Sequence, residues 1–185
     1  ISLYFKTEFE KLKEENETPR YFRQRMRMNY IYKGIELELL ALKESRNEQF
    51  YDALHQAIPR GGVITELGCG YGFTSYMLHF TGWKRTLTGI DADDEKIDVA
   101  NNCYSKNENV NFVCADVMTT ELPKSDVFII NNNNLSFSYE QLTTLCRQCF
   151  EHISDTGFVI VIGVNSLPMK YETQQIFNSV FKLSR

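Results

Sequence analysis

The stretch Glu66-Leu67-Gly68-Cys69-Gly70-Tyr71-Gly72 sets three glycines at alternate positions behind a carboxylate. Glycines at this spacing permit positive φ and let a ligand lie close against the backbone. A helix opening at about Gly72 would offer its free N–H groups to the same place. A turn that merely needs glycine would read the same in isolation, so the surroundings decide. A β-rich run, Val63–Leu67, precedes the loop and a helical stretch follows it, while an acid, Asp91, closes the next β-rich run in Gly89-Ile90-Asp91-Ala92-Asp93. A carboxylate there can accept hydrogen bonds from two ribose hydroxyls. The competing role is a helix N-cap, for which Asp93 and Asp94 are better placed. A third run ends in Cys114-Ala115-Asp116-Val117, where a carboxylate can accept from an adenine amino group or serve as a turn or cap residue.

Three nucleoside-type contacts at three successive strand ends are more specific than any one alone. A dinucleotide loop needs a further glycine at position 73, and this chain has Phe73. Glu66, two residues before the first glycine, would repel a pyrophosphate and attract an ammonium or sulfonium. The residues therefore suit a cationic nucleoside without phosphates.

The elements that must hold these residues follow from hydrophobic periodicity. β-rich runs fall at Val63–Leu67, Thr86–Ile90, Val110–Cys114, Val127–Ile130 and Phe158–Ile162, with helical stretches between them. One helix carries Ile97, Ala100 and Tyr104 on one face. Another starts at Ser138 with Gln141 in a capping box and aligns Leu142, Leu145, Cys146, Cys149, Phe150 and Ile153. Alternating strands and helices predict an α/β, doubly wound, mostly parallel sheet of five strands with right-handed crossovers. In such sheets ligands bind beyond the carboxyl ends of the strands. Residues 1–60 read as a helical arm, ended by Pro59-Arg60-Gly61-Gly62.

Ile64 to Val117 resembles class I, Rossmann-like S-adenosylmethionine-dependent methyltransferases. The Glu66–Gly72 loop resembles their first motif, Gly89–Asp93 the second and Cys114–Val117 the third, while Ser125–Ile130 and Gly157–Ile162 resemble strands four and five. The resemblance implies S-adenosyl-L-methionine as cofactor, S-adenosyl-L-homocysteine as product and strand order 3-2-1-4-5. It also implies roles for ten residues. Glu66 would lie near the methionine amino group, with Gly68, Cys69 and Gly70 along the methionine and ribose. Asp91 would hold the ribose hydroxyls, with Ala92 beside the adenine. In the third motif, Ala115 would be a cofactor-binding residue, Asp116 would meet the adenine amino group and Val117 would pack on the ring, while Asn131 would lie near the methionine end.

Strand four runs into Asn131-Asn132-Asn133-Asn134-Leu135-Ser136. This stretch lacks the Asn/Asp-Pro-Pro-aromatic pattern of amino-directed nucleic-acid methyltransferases. It also lacks a carboxylate for Mg²⁺ and the Asp and His that many small-molecule members carry. No catalytic base is assigned. Asn can orient a substrate or the methionine carboxylate, or simply form a polar turn. An acceptor that arrives ionised needs no strong base; the enzyme has to align it with the methyl carbon and exclude water.

Between Arg20 and Lys33 lie five positive residues and no acid, interleaved with aromatics. This arm could cover the cofactor, bind an anionic acceptor, contact RNA, or form a solvated amphipathic helix. The chain as a whole has net charge −4, which argues against a general polyanion binder, so nucleic acid is not the expected partner. Five scattered cysteines and no leader-like N-terminus suggest a reduced, cytoplasmic setting. Cys146-x-x-Cys149 lies on an apolar helix face without a second pair, so core packing is expected rather than a metal site. His55, His79 and His152 read as surface or helix-end residues. No apolar run approaches the length of a membrane span.

The expected function is methyl transfer from S-adenosyl-L-methionine to a small-molecule acceptor, anionic or carrier-bound. The alternatives are a nucleoside-binding domain without chemistry and, further off, an RNA methyltransferase. A homodimer or a larger polypeptide would suit either class. The family's sheet has seven strands, and Gly163–Arg185 reads as one helix through Tyr171, Ile176, Phe177, Val180 and Phe181. The expectation is therefore a domain over 61–185 truncated after strand five, with Ile1 and Arg185 as excerpt boundaries and an exposed sheet edge beside that strand.

Overall fold

The near-continuous apolar runs Val127–Ile130 and Phe158–Ile162 become inner strands of one sheet, buried on both faces as central parallel strands require. The computed structural model describes residues 45–82, 84–104, 108–167 and 170–185. The Arg20–Lys33 arm and most of the predicted N-terminal helical region lie outside these residues. Tyr51–Arg185 forms one compact unit.

In chain order the elements are α1 (Ser45–Ala57), β1 (Gly61–Leu67), α2 (Phe73–Thr81), β2 (Lys84–Asp91), α3 (Asp94–Tyr104) and β3 (Val110–Cys114). There follow β4 (Ser125–Asn131), α4 (Asn132–Leu135), α5 (Tyr139–His152), β5 (Ile153–Ile162), β6 (Glu172–Phe177) and β7 (Val180–Ser184). The sheet order is β3-β2-β1-β4-β5-β7-β6. The first five are parallel in the expected order 3-2-1-4-5; β7 runs antiparallel to both β5 and β6.

Two local expectations hold in detail. Ser138 Oγ accepts from the Gln141 N–H while the Gln141 side chain accepts from the Ser138 N–H, so α5 opens on a capping box. Its buried face is Leu142, Leu145, Cys146, Cys149 and Phe150, all part of the core. The helix ends at His152, and Ile153 already begins β5. Burial pushes the Cys146 thiol up to about 12 and that of Cys149 well above its ordinary value, as suits two core side chains.

The strand count corrects the sequence reading. Seven strands are built from this chain, and 171–181 is not a helix. Asn178 and Ser179 form a two-residue turn, with Ser179 at φ 56° and Phe177 paired to Val180. This turn lets two short strands fit where only one helix was expected. The Ser179 carbonyl also accepts from Gly163 N at 2.8 Å, which ties the turn to the exit of β5. Val180, Phe181 and Leu183 are buried, and β7 occupies the edge of β5 that was expected to be exposed. β6 forms the outer edge; its first four residues, Glu172–Gln175, are polar and exposed, as edge strands commonly are, while Ile176 and Phe177 are half-buried.

Arg85 on β2, which the sequence reading passed over, is fully buried (0 % exposed). Its guanidinium donates to the carbonyls of Pro59 (Nε, 2.7 Å), Leu78 (Nη1, 2.9 Å) and Ile58 (Nη2, 2.9 Å). One cation thus satisfies carbonyls at the end of α2 and just beyond α1, where helices leave acceptors unpaired. His79, in the last turn of α2, is buried rather than at the surface, with Nδ1 3.3 Å from the Arg85 carbonyl oxygen.

Candidate functional site

β1 lies between β2 and β4, so the carboxyl ends of these three strands meet at the loop that follows β1. That loop is anchored on β2: Gly68 N and Cys69 N both donate to the Ile90 carbonyl, at 2.8 and 3.2 Å. Gly68 and Gly70 adopt φ +75° and +54°, the left-handed region where a side chain is strained. Both also face close neighbours. A Cβ on Gly68 would stand 2.5 Å from Leu135, and one on Gly70 would stand 2.9 Å from Asn134 Nδ2. The short helix α4 therefore lies against the glycine loop, and Asn134 Nδ2 donates to the Gly68 carbonyl at 2.7 Å. Phe73 is buried, its ring edge-on to Tyr51, so the position a dinucleotide loop would give to glycine is filled by an aromatic.

Glu66 lies one residue from the end of β1 and is fully buried (0 % exposed). Ser75 Oγ donates to its Oε2 at 2.6 Å, and Asn131 Nδ2 donates to its Oε1 at 3.1 Å. Burial pushes this carboxyl up from 4.5 to about 7; the two side-chain donors and the Ser75 N–H pull it down, and Asp91 adds a small upward push. Asn131 ends β4 and is 9 % exposed. Its Oδ1 is buried and accepts no hydrogen bond among the described residues. A buried acceptor without a donor is costly unless a ligand supplies one.

Asp91, at the end of β2, is 8 % exposed. Gly70 N donates to its Oδ2 at 2.8 Å and Asp93 N to its Oδ1 at 3.0 Å. Two N–H groups fix the carboxylate against the loop, and each oxygen keeps a lone pair for a further donor. Asp93 takes the capping role expected of it, accepting from Lys96 N at 3.1 Å. Ala115 N donates to the Asp91 carbonyl, which brings the third strand end alongside. Asp116 is exposed, and its Oδ1 accepts from Met118 N at 2.9 Å, so one oxygen forms a turn while the other can take an external donor. Ala92 is exposed, Ala115 half-buried and Val117 buried in the core. Cys69 is buried, its thiol held neutral by burial beside Glu66 and Asp91.

The structure thus brings Glu66, Gly68, Cys69, Gly70, Asp91 and Asn131 to the same strand ends in two hydrogen-bonded sets, Glu66 with Asn131 and the glycine loop with Asp91, with Ala92, Ala115, Asp116 and Val117 at the adjoining strand ends. Sequence reasoning missed Ser75 and the contacts of α4. No sequence signal singled out Ser75, since Thr74 places a second hydroxyl in the same first turn of α2. The asparagine run divides into separate tasks. Asn131 holds Glu66, Asn132 Oδ1 accepts from Phe137 N at 2.8 Å, Asn133 packs against Gly163, and Asn134 covers the loop. The left-handed residue of this turn is Ser136 rather than an asparagine. Among the described residues no three His, Cys, Asp or Glu side chains cluster as metal ligands, and no helix is long and apolar enough to cross a membrane.

A glycine loop after the first strand, acids at the next two strand ends and a sheet ordered 3-2-1-4-5 with an antiparallel hairpin define a Rossmann-like methyltransferase domain. The model of a methyltransferase-domain family matches residues 64–157, half of the chain, and the chain belongs to that family. The cofactor of such domains is S-adenosyl-L-methionine, and the residues here fit it. The orphaned Asn131 Oδ1, the buried Glu66 and the free lone pairs of Asp91 suit an ammonium and two hydroxyls.

Among curated proteins the chain is similar to malonyl-[acyl-carrier protein] O-methyltransferases. That of Bacillus cereus is 30% identical over 97 residues, covering 52% of this chain and 35% of the relative. That of Bacillus anthracis is 31% identical over the same length and the same shares. The chain thus spans about a third of the length of these relatives. Among solved structures, a TehB-like S-adenosylmethionine-dependent methyltransferase from Corynebacterium glutamicum aligns with TM-score 0.61 at 16% identity, over 84% of this chain and 94% of that one. Coclaurine N-methyltransferase bound to N-methylheliamine and S-adenosylhomocysteine aligns with TM-score 0.54 at 19% identity, over 60% and 34%. At these identities the structural likeness speaks to the fold.

Proposed function

We propose that this domain transfers a methyl group from S-adenosyl-L-methionine to a small acceptor that is anionic or carried on an acyl carrier. The observation that supports the reading most is the buried pair of acceptors, Glu66 and Asn131 Oδ1, beside the glycine loop. In this reading Glu66 and Asn131 hold the ammonium end, the Gly68–Gly70 backbone runs along the methionine and ribose, and Asp91 accepts from the ribose hydroxyls. Ala92, Ala115 and Val117 flank the adenine, and the free oxygen of Asp116 accepts from its amino group.

The bound cofactor supplies a methyl carbon made electrophilic by the attached sulfonium. An acceptor oxygen held in line with the sulfonium would take this methyl group, the C–S electrons remaining on sulfur. An ionised carboxylate brings no proton to remove. That agrees with α4, where the amides of Asn132 and Asn134 are already engaged on Phe137 and Gly68. The chain's part is then to align the two reactants and exclude water. The relatives named for malonyl-[acyl-carrier protein] give the carrier-bound acceptor its support.

A second reading, a domain that binds the cofactor without chemistry, draws on the same engaged amides. Incubation with methyl-labelled cofactor and a panel of carboxylates, acyl-carrier thioesters, phenols and RNA separates the two. Label is expected on a carboxylate or an acyl-carrier thioester. Label on RNA alone would overturn the acceptor class. Tight cofactor binding with no label on any acceptor would favour the second reading.

A further inference from the structure

Glu66 is approached from four sides, and each side contributes a different kind of group. From α2 comes the Ser75 hydroxyl at 2.6 Å, from β4 the Asn131 amide at 3.1 Å, from β2 the Asp91 carboxylate, and from the loop the Cys69 thiol. Only the first two donate hydrogen bonds to the carboxylate through side chains. Asp91 opposes its charge, and the buried Cys69 thiol stays neutral. Ser75 is itself fully buried and sits in the first turn of α2, where helix N–H groups also favour a negative charge. A carboxylate this deep ionises only as far as its donors allow. The remaining acceptor, Asn131 Oδ1, meets no donor among the described residues.

We propose that Ser75 and Asn131 form a two-donor clamp that governs whether Glu66 is ionised, so that binding the cofactor's ammonium end is linked to release of a proton from Glu66. This rests on reading the site as one for S-adenosylmethionine. Ser75 is then a positioning residue: its hydroxyl is engaged on Glu66 and acts by holding that charge for the ligand. Asn131 does both, donating to Glu66 through Nδ2 and offering Oδ1 to the ligand. An Asp at position 131 could not do this, because it would set a second carboxylate against Glu66.

The test is calorimetric titration between pH 6.0 and 8.5 with two probes. S-adenosylhomocysteine carries the ammonium; 5′-methylthioadenosine has the nucleoside but no amino-acid end. Affinity for S-adenosylhomocysteine should rise about tenfold from pH 6 to pH 8, with about one proton released per site at pH 6. Affinity for 5′-methylthioadenosine should stay level. Ser75→Ala should weaken S-adenosylhomocysteine about fivefold at pH 7 and leave it nearly unchanged at pH 8.5, because a lost donor shifts ionisation upward. Glu66→Gln should abolish the pH dependence. A structural role for Ser75 alone would weaken both probes equally at every pH, and that result overturns the proposal, as would level S-adenosylhomocysteine affinity in the wild-type protein. Failure of the wild-type protein to bind either probe would instead overturn the reading of the site.

Discussion

Glu66→Gln should make this protein more stable at alkaline pH while weakening the site. In the folded chain the Glu66 carboxyl is fully buried, and burial raises it from 4.5 to about 7 despite the donors Ser75 and Asn131. The folded state therefore holds the proton more tightly than the unfolded state. Stability from this group is full below about 4.5, falls as pH rises through the interval up to about 7, and is level above it. That interval, at about 1.4 kcal/mol per pH unit, corresponds to about 3 kcal/mol. A glutamine never ionises and removes the fall. Its amide can accept from Ser75 and, with the Asn131 amide turned over, donate to the oxygen that now lacks a partner. Urea unfolding at pH 5, 6, 7 and 8, taken as the difference between variant and wild type, cancels the other titrating groups. The two proteins should agree within about 1 kcal/mol at pH 5, and the variant should lead by about 2–3 kcal/mol at pH 8. A difference that does not change with pH, or a variant less stable at pH 8, would show that the buried Glu66 does not take up a proton on folding.

Arg85→Met should cost about 3 kcal/mol or more by urea unfolding, since it strips donors from buried carbonyls beside α1 and α2; a loss below about 1 kcal/mol would mean water replaces them readily. Leu183→Ala should cost about 2–5 kcal/mol because Leu183 is fully buried on β7. A negligible loss would show that the last hairpin is not part of the cooperative core. Gly70→Ala, at φ +54° and against Asn134, should destabilise by about 1–2 kcal/mol and reduce S-adenosylhomocysteine binding more than tenfold, measured by calorimetry. Binding that survives would mean the ligand does not run along that backbone.

The central half of the chain was legible because several signals agreed there. Val110–Cys114 is bounded as the residue pattern predicts, and the capping box at Ser138 forms as read. The glycine loop, Asp91 and Asn131 converge because each ends a strand of a sheet whose order follows from its crossovers. The last segment misled because Ile176, Phe177, Val180 and Phe181 fit a helical face by spacing, whereas burial on β7 skips Lys182 and returns at Leu183. Asn178-Ser179 is a weaker turn signal than a pair containing glycine, and antiparallel pairing with β5 decided the outcome. Arg85 and Ser75 were invisible for another reason. Their partners are carbonyls on α2 and just beyond α1 and a carboxylate on β1, and only the packing of helix against strand brings them together. The asparagine run could be read as polar but not apportioned, since each amide's partner depends on where α4 settles against the loop.

Asp91 and the glycine loop are the core of the proposed site for a phosphate-free, cationic nucleoside. Calorimetric titration of the wild-type protein and of Asp91→Ala with S-adenosylmethionine, S-adenosylhomocysteine and NAD tests it. The wild-type protein should bind the first two and not NAD, and Asp91→Ala should lose about 2–3 kcal/mol of affinity for both, as expected for hydrogen bonds to a charged group. Binding of NAD without S-adenosylhomocysteine, or affinity unchanged in Asp91→Ala, would contradict it.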